Sequence, residues 1–212
     1  MKKPALRIGR AYRFYRREIR RERLFQRLVS LGLPVAGSIH PRVWEAFGAV
    51  LTGARATGGY GADLKGWEVK SAVEGGSFEY QYHRNGGLAK LEEDAIIEHL
   101  FVSYSRDYRT VTVRVVHGKD LSDHFKSWRT AYLANYARTE QGGIVEGGEP
   151  RQRFRKSIPF GAIGMRGRIV MQIQDGKLVA LEDLEGQAPA NAPTPKPRLA
   201  RIRRRQTQRG NR

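Results

Sequence analysis

Hydrophobic side chains recur at helical spacing in four stretches of the chain. The spacing predicts helices over residues 10–30, 41–51, 88–98 and 122–136. The first of them is dense in arginine, so we expect its first half to project as a basic arm and its second half to dock on the core. Gly32 and Pro34 follow it, as is typical of a helix end. Ser122 is the expected N-cap of the last helix.

Other stretches alternate between apolar and polar side chains, which is the period of a β-strand. The clearest is residues 77–84, where Phe78, Tyr80 and Tyr82 share one face. Strands are predicted for residues 62–64, 67–70, 77–84, 100–105, 110–117, 168–174 and 177–181. Lys65-Gly66 and Asp175-Gly176 are spaced as hairpin turns. Together the elements predict an α/β domain with a central mixed β-sheet flanked by helices.

The composition excludes several kinds of chemistry and indicates where in the cell the protein is expected. At 212 residues the chain can form one domain with a real core. It has no cysteine, which excludes disulfides, thiolate metal sites and cysteine nucleophiles. No apolar run approaches the roughly 18 residues of a membrane span, and no secretory signal pattern follows Met1. We therefore expect a cytoplasmic protein without a membrane partner.

The net charge of +18 is concentrated at the two ends of the chain. Residues 1–30 hold 11 basic and two acidic side chains, and residues 186–212 hold eight basic and no acidic ones. Residues 31–185 are nearly neutral. This predicts a basic N-terminal arm or helix, a core domain and a disordered basic tail rich in Pro, Ala and Arg. Such ends attract polyanions, and we expect nucleic acid because neither end has a clean apolar face.

Residues 62–72 carry the most informative polar pattern. With Lys65-Gly66 as a two-residue turn, Asp63 lies opposite Glu68, with Cβ atoms about 5 Å apart. Lys70 shares the face of Glu68. Opposed like charges destabilise a sheet, and a divalent cation is the simplest group to offset the repulsion. Oxygen ligands favour Mg²⁺, so we expect Asp63 and Glu68 to bind it and Lys70 to act in catalysis.

This stretch resembles the motif of the PD-(D/E)XK nuclease superfamily, an Asp on one strand followed by Glu-x-Lys on the next. Asp63, Glu68 and Lys70 match the three positions, and Glu45 matches an acidic residue that the family supplies from a preceding helix. The resemblance covers about residues 41–117. Ala62 replaces a frequent proline, and the spacing between Asp63 and Glu68 is shorter than in many members.

The resemblance implies a restriction-endonuclease-like core and Mg²⁺-dependent hydrolysis of DNA phosphodiester bonds that leaves a 5′-phosphate. Most specifically it implies a type II restriction endonuclease that acts on double-stranded DNA as a homodimer. A junction resolvase or repair nuclease of the same superfamily stays open. A non-catalytic nucleic-acid-binding protein, in which Asp63, Glu68 and Lys70 form a structural polar face, is the alternative from another class.

Eight further polar side chains are candidate DNA contacts. Gln81 and His83 project from the strand that follows Lys70, and Gln81 is suited to contact a base. Lys90 lies near a helix start, where phosphate binds well. A basic run at residues 151–156 forms a second patch, in which phosphate contact is the commoner role of an arginine. The set comprises Gln81, His83, Arg84, Lys90, Arg151, Arg153, Arg155 and Lys156.

Overall fold

The computed structural model describes residues 5–59, 61–140 and 153–180. Its helices are α1 (Ile8–Phe14), α2 (Glu22–Ser30), α3 (Pro41–Thr52), α4 (Gly87–Asp94), α5 (Ser122–Glu140) and α6 (Phe160–Gly164). Its strands are β1 (Trp67–Val73), β2 (Ser77–His83), β3 (Glu98–Tyr104), β4 (Val111–His117), β5 (Arg153–Pro159), β6 (Arg168–Gln174) and β7 (Lys177–Leu178). A π-helical turn (Tyr15–Ile19) follows α1, and a 3₁₀ turn (Gly118–Leu121) precedes α5.

The sheet is mixed, as the sequence predicts. Five strands pair in the order β1-β3-β4-β6-β7, and β1 and β3 run parallel while the other pairs are antiparallel. Strand β2 and helix α4 form the connection from β1 to β3. Strands β2 and β5 pair separately as a two-stranded antiparallel ribbon. The fold class is therefore α/β, with helices flanking a mixed sheet.

Two hydrophobic clusters cover the two faces of the main sheet. Alternate residues of β3 divide between them: Leu100 and Val102 pack with α1 to α3, whereas Phe101 packs with the ribbon, α4 and α5. The division follows from the two-residue period of a strand. A strand covered on both faces reads as a continuous apolar run, which is how residues 100–102 appear in the sequence.

The N-terminal helical region packs differently from the sequence prediction. Ala11, Tyr15 and Ile19 are fully buried, and the Tyr15 hydroxyl donates a 2.7 Å hydrogen bond to the carbonyl of Tyr108. The first half therefore packs on the core and does not project as the basic arm that the sequence predicts. The helix is also interrupted at Arg20, whose ψ of 76° leaves the helical region. A cationic surface persists, because exposed arginines line this region, namely Arg10, Arg13, Arg16, Arg17, Arg21, Arg23 and Arg27.

Several element boundaries are corrected by the structure. Residues 62–64 form no strand, only isolated bridges from Leu64 to Ala56 and Trp67. The predicted helix at 88–98 ends at Asp94, because β3 begins at Glu98. Ser122 is already helical, so it is not an N-cap. Strand β5 is absent from the prediction.

Two expectations concern the chain beyond its fold. In the part of the chain that the structure describes, no helix has the length and apolarity needed to span a membrane. The predicted tail at 186–212 lies outside the described residues, and so does Arg151. A cytoplasmic location stays a prediction.

Candidate active site

The turn at Lys65-Gly66 forms as predicted and brings Asp63 beside Glu68. Leu64 and Trp67 exchange two backbone hydrogen bonds of 3.0 and 2.9 Å. Gly66 adopts a φ of +78°, which glycine tolerates without strain. The main-chain N–H of Asp63 donates to Glu68 Oε2 at 3.2 Å. In return, the N–H of Val69 donates to Asp63 Oδ2 at 3.0 Å, so each carboxylate is held by the backbone across the turn.

Glu68 lies at the centre of the site and is 1% exposed. Lys70 shares its side of β1, and the Lys70 ammonium lies 2.6 Å from Glu68 Oε1. The Lys90 ammonium, from helix α4, lies 2.9 Å from Glu68 Oε2. These lysines offset the charge of Glu68. The prediction names a divalent cation as the simplest group to offset the repulsion between Asp63 and Glu68, and it overlooks the contribution of Lys90.

Further buried polar side chains contact Lys90 and one another. Asp94 Oδ1 lies 3.4 Å from the Lys90 ammonium, and Asp94 Oδ2 accepts a 2.9 Å hydrogen bond from the Tyr82 hydroxyl. His99 Nε2 lies 2.7 Å from the carbonyl oxygen of Asp94, which can only accept, so Nε2 carries the proton. His99 Nδ1 then accepts from the Tyr80 hydroxyl at 2.9 Å. We call Glu68, Lys70, Lys90 and Asp94 the carboxylate–lysine cluster.

The pKa values of the carboxyl groups in the site are shifted in opposite directions. Burial, reinforced by the Glu68 charge, raises the pKa of Asp63 to about 6. Burial also favours the protonated form of Glu68, but Lys70 and Lys90 together outweigh it and hold the Glu68 pKa below its usual range. Burial and the Glu68 charge raise the pKa of Asp94. The site therefore keeps one fully ionised carboxylate beside two that resist ionisation.

The donor set of Asp63 and Glu68 fits Mg²⁺. Among the described residues, no group of three or more His, Cys, Asp or Glu side chains could hold a metal. Mg²⁺ needs only one or two carboxylates, however, and completes its shell with water and substrate phosphate. Because the Glu68 charge contributes to the raised pKa of Asp63, a cation between the two would stabilise both in the charged form. Asp63 and Glu68 are thus the residues that would hold it.

Glu45 lies close enough to Asp63 to affect its ionisation. Its charge is a minor contribution to the raised pKa of Asp63. The Glu45 carboxylate pairs with Arg42 of the same helix, with 2.8 Å between Oε2 and Nη1. The structure therefore places Glu45 at the edge of the site, where Arg42 competes for it.

The ribbon of β2 and β5 unites two sets of predicted DNA contacts. Gln81 pairs with Arg155 in the register, and His83 pairs with Arg153. These four side chains share the outer face of the ribbon, because the alternate residues Tyr80 and Tyr82 are buried on the inner face. We call this surface the outer ribbon face.

The remaining candidate contacts are placed differently. Lys156 pairs with Tyr80 in the register and lies on the inner side, with its ammonium 5.1 Å from the centre of the Phe154 ring. Arg84 is exposed just beyond β2. Lys90 turns inward to Glu68 and is 13% exposed. Its phosphate-binding role stays a prediction, and its role in the site was missed.

Sequence reasoning also missed Asp94, His99, Tyr80 and Tyr82 as members of the site. The four-residue spacing of Lys90 and Asp94 on one helix was an available signal for their ion pair. No protein-family model matches the chain, and no curated protein is significantly similar to it.

Proposed function

We propose that the protein is a Mg²⁺-dependent DNA endonuclease with a PD-(D/E)XK-type site, most specifically a type II restriction endonuclease. The observation that carries the proposal is the arrangement of three side chains around one turn. Lys70 lies 2.6 Å from Glu68 on the same side of β1, and Asp63 is fixed to the opposite arm of the turn by Val69. A charged group of this composition on a strand end is suited to hydrolysis of a phosphodiester.

Each of the three residues has a distinct part in this proposal. Asp63 and Glu68 would hold Mg²⁺, which when bound polarises a phosphodiester oxygen and acidifies a water molecule. Lys70 is 15% exposed, and the Tyr80 ring lies 4.6 Å below its ammonium. These two contacts hold the Lys70 ammonium in a fixed position within the site. There it orients the attacking water or stabilises the charge that develops on the phosphate.

Two cationic surfaces support double-stranded DNA as the substrate. Arg153 and Arg155 are exposed on the outer ribbon face, beside Gln81. The N-terminal helices present a second surface of exposed arginines. Such surfaces bind the phosphate backbone through release of counterions. A homodimer that cuts both strands is part of the proposal and is measurable by sedimentation.

One observation favours a second candidate, a non-catalytic nucleic-acid-binding protein. Both oxygens of Glu68 are already paired with lysines, so the cluster is electrostatically satisfied by the chain itself. A buried network of this kind can serve the fold alone. The two candidates share the cationic surfaces and differ only in whether the site reacts.

Plasmid cleavage in Mg²⁺ and in EDTA separates the candidates. The nuclease proposal predicts cleavage by the wild type in Mg²⁺ alone and none by Asp63→Asn. Asp120→Asn, the same change at an exposed residue of the 3₁₀ turn, is the matched control and should cleave normally. Discrete fragments support a restriction enzyme, and a preference for branched DNA supports a resolvase. Retained DNA binding without cleavage favours the non-catalytic protein.

A further inference from the structure

Lys90 bridges the two buried carboxylates of the carboxylate–lysine cluster. Its ammonium lies 2.9 Å from Glu68 Oε2 and 3.4 Å from Asp94 Oδ1. Only 13% of the Lys90 side chain is exposed, and both carboxylate side chains are almost completely buried. Lysines are rarely buried to this degree unless they are paired. Lys90 is therefore an integral member of the site.

The two oxygens of Glu68 are not equivalent. Lys70, on the same strand, occupies Oε1. Oε2 accepts from the main-chain N–H of Asp63 at 3.2 Å and also pairs with Lys90. A cation shared by Asp63 and Glu68 therefore meets a Glu68 carboxylate on which both oxygens already face an ammonium, and it has to displace one of the two lysines.

Asp94 gives Lys90 a second partner within the site. Asp94 Oδ1 faces the Lys90 ammonium, while the Tyr82 hydroxyl holds the other oxygen at 2.9 Å. Lys90 can therefore withdraw from Glu68 Oε2 and keep a buried carboxylate beside it. Without Asp94 the withdrawal would leave an unpaired buried ammonium, which is costly.

We propose that Lys90 is the resident counter-cation of Glu68 Oε2, that a divalent cation must displace it, and that Lys90 thereby sets the metal affinity of the site. The inference rests on the proposed function, because it takes Asp63 and Glu68 as the metal-holding pair. Lys90 weakens metal binding by competition, and it holds the Glu68 carboxylate in place until a metal binds. Lys70 stays on Oε1 throughout.

Binding of Mn²⁺ to the full chain without DNA tests the proposal directly. Free Mn²⁺ is measured by electron paramagnetic resonance, at constant pH, for the wild type, Lys90→Met and Lys65→Met. Lys90→Met keeps the aliphatic stem and removes the competing charge, so its Mn²⁺ dissociation constant should fall about tenfold or more. Lys65→Met removes the same charge from an exposed position, and its effect should stay below about threefold. Equal or weaker binding by Lys90→Met, or no Mn²⁺ binding by any of the three proteins, overturns the proposal.

Lys90→Arg provides a second test that does not depend on the folding of Lys90→Met. Arginine keeps the charge and pairs with carboxylates through a planar fork, so it should compete more strongly and weaken Mn²⁺ binding. Unchanged binding by this variant contradicts the proposal. Cleavage by the wild type is a separate result. If Lys90→Met binds Mn²⁺ more tightly but the wild type does not cleave DNA, the inference on Lys90 stands and the nuclease proposal fails. If the wild type cleaves DNA but Lys90→Met binds Mn²⁺ with unchanged affinity, the nuclease proposal stands and the inference on Lys90 fails.

Discussion

Asp63 and Glu68 hold each other across a two-residue turn, with the amide of Asp63 donating to Glu68 Oε2 and the next amide after Glu68 donating to Asp63 Oδ2. Their surroundings nevertheless differ. Glu68 is flanked by two lysines, whereas burial and the charge of Glu68 act against ionised Asp63. The two carboxylates therefore make opposite contributions to stability at neutral pH.

Asp63→Asn should stabilise the protein at neutral pH. The pKa of Asp63 rises from 3.8 to about 6 on folding, so the folded state binds its proton more tightly, and stability falls as the pH rises between these values. Asparagine removes this penalty and can still accept from Val69. After a discount for partial exposure, we expect a gain of about 1–2 kcal/mol at pH 7.5 that disappears at pH 4.

Urea unfolding at both pH values measures the Asp63 effect. Asp120→Asn, an exposed change in the 3₁₀ turn, is the control for removal of a negative charge. An equal stability difference at pH 4 and pH 7.5 would show that the ionisation of Asp63 is not its cause.

Glu68→Gln should have the opposite effect. The lysines lower the pKa of Glu68, so its stabilising contribution is present above pH 4.5 and is lost as the pH falls below that value. Removing the charge leaves Lys70 and Lys90 without their shared partner. We expect a loss of about 3–5 kcal/mol at pH 7.5, measured by urea unfolding. The repulsion expected from the sequence implies that removing either carboxylate is stabilising, and the structure restricts this expectation to Asp63. If Glu68→Gln lowered the free energy of unfolding by less than about 1 kcal/mol, the expectation would hold for Glu68 as well.

Local patterns account for the part of the site that the sequence predicts. Gly66 specifies the turn, and the two-residue period of a strand places Glu68 and Lys70 on one side of β1. The same period predicts the buried side of β2. These relationships depend on neighbours within a few residues, so they can be derived without the fold.

The missed contacts depend on tertiary packing. Lys90 is 22 residues from Glu68 and reaches it only because α4 packs beside β2 on one face of the sheet. Tyr15 is buried and contacts Tyr108, which is 93 residues away in the sequence. The arginine-rich sequence around Tyr15 does not indicate this contact. Four of the seven side chains of strand β5 are polar, so its sequence does not show which face is buried. The pairing of β5 with β2 determines which of these side chains face outward.

Replacing Arg153 and Arg155 by alanine should weaken DNA binding without destabilising the fold. Both side chains are exposed on the outer ribbon face, so little packing is lost. The slope of log affinity against log salt is negative, and removing two phosphate contacts should make it shallower by about 1.8. Anisotropy titrations of duplex DNA over a series of NaCl concentrations measure the slope. Lys119→Ala with Lys126→Ala removes the same charge from other exposed positions, and an equal effect there would exclude a specific role of the ribbon.

Lys70→Met should abolish most of the cleavage activity and leave DNA binding intact. The Lys70 ammonium contacts both Glu68 and the Tyr80 ring, so in the proposed reaction it would present a fixed charge to the phosphate at no cost of reorganisation. We expect the single-turnover rate to fall at least about 100-fold, which corresponds to about 3 kcal/mol of transition-state stabilisation. Duplex affinity should stay within about twofold, because the exposed arginines supply it.

The control for Lys70 is Lys65→Met, which alters the exposed turn five residues earlier on the chain and should cleave at the wild-type rate. Single-turnover rates at saturating Mg²⁺ separate the chemical step from metal affinity, because the metal site is then filled in both proteins. If Lys70→Met cleaved within about threefold of the wild type under these conditions, its charge would contribute less than about 1 kcal/mol to the barrier. Lys70 would then serve to neutralise buried Glu68, and the catalytic assignment would fail.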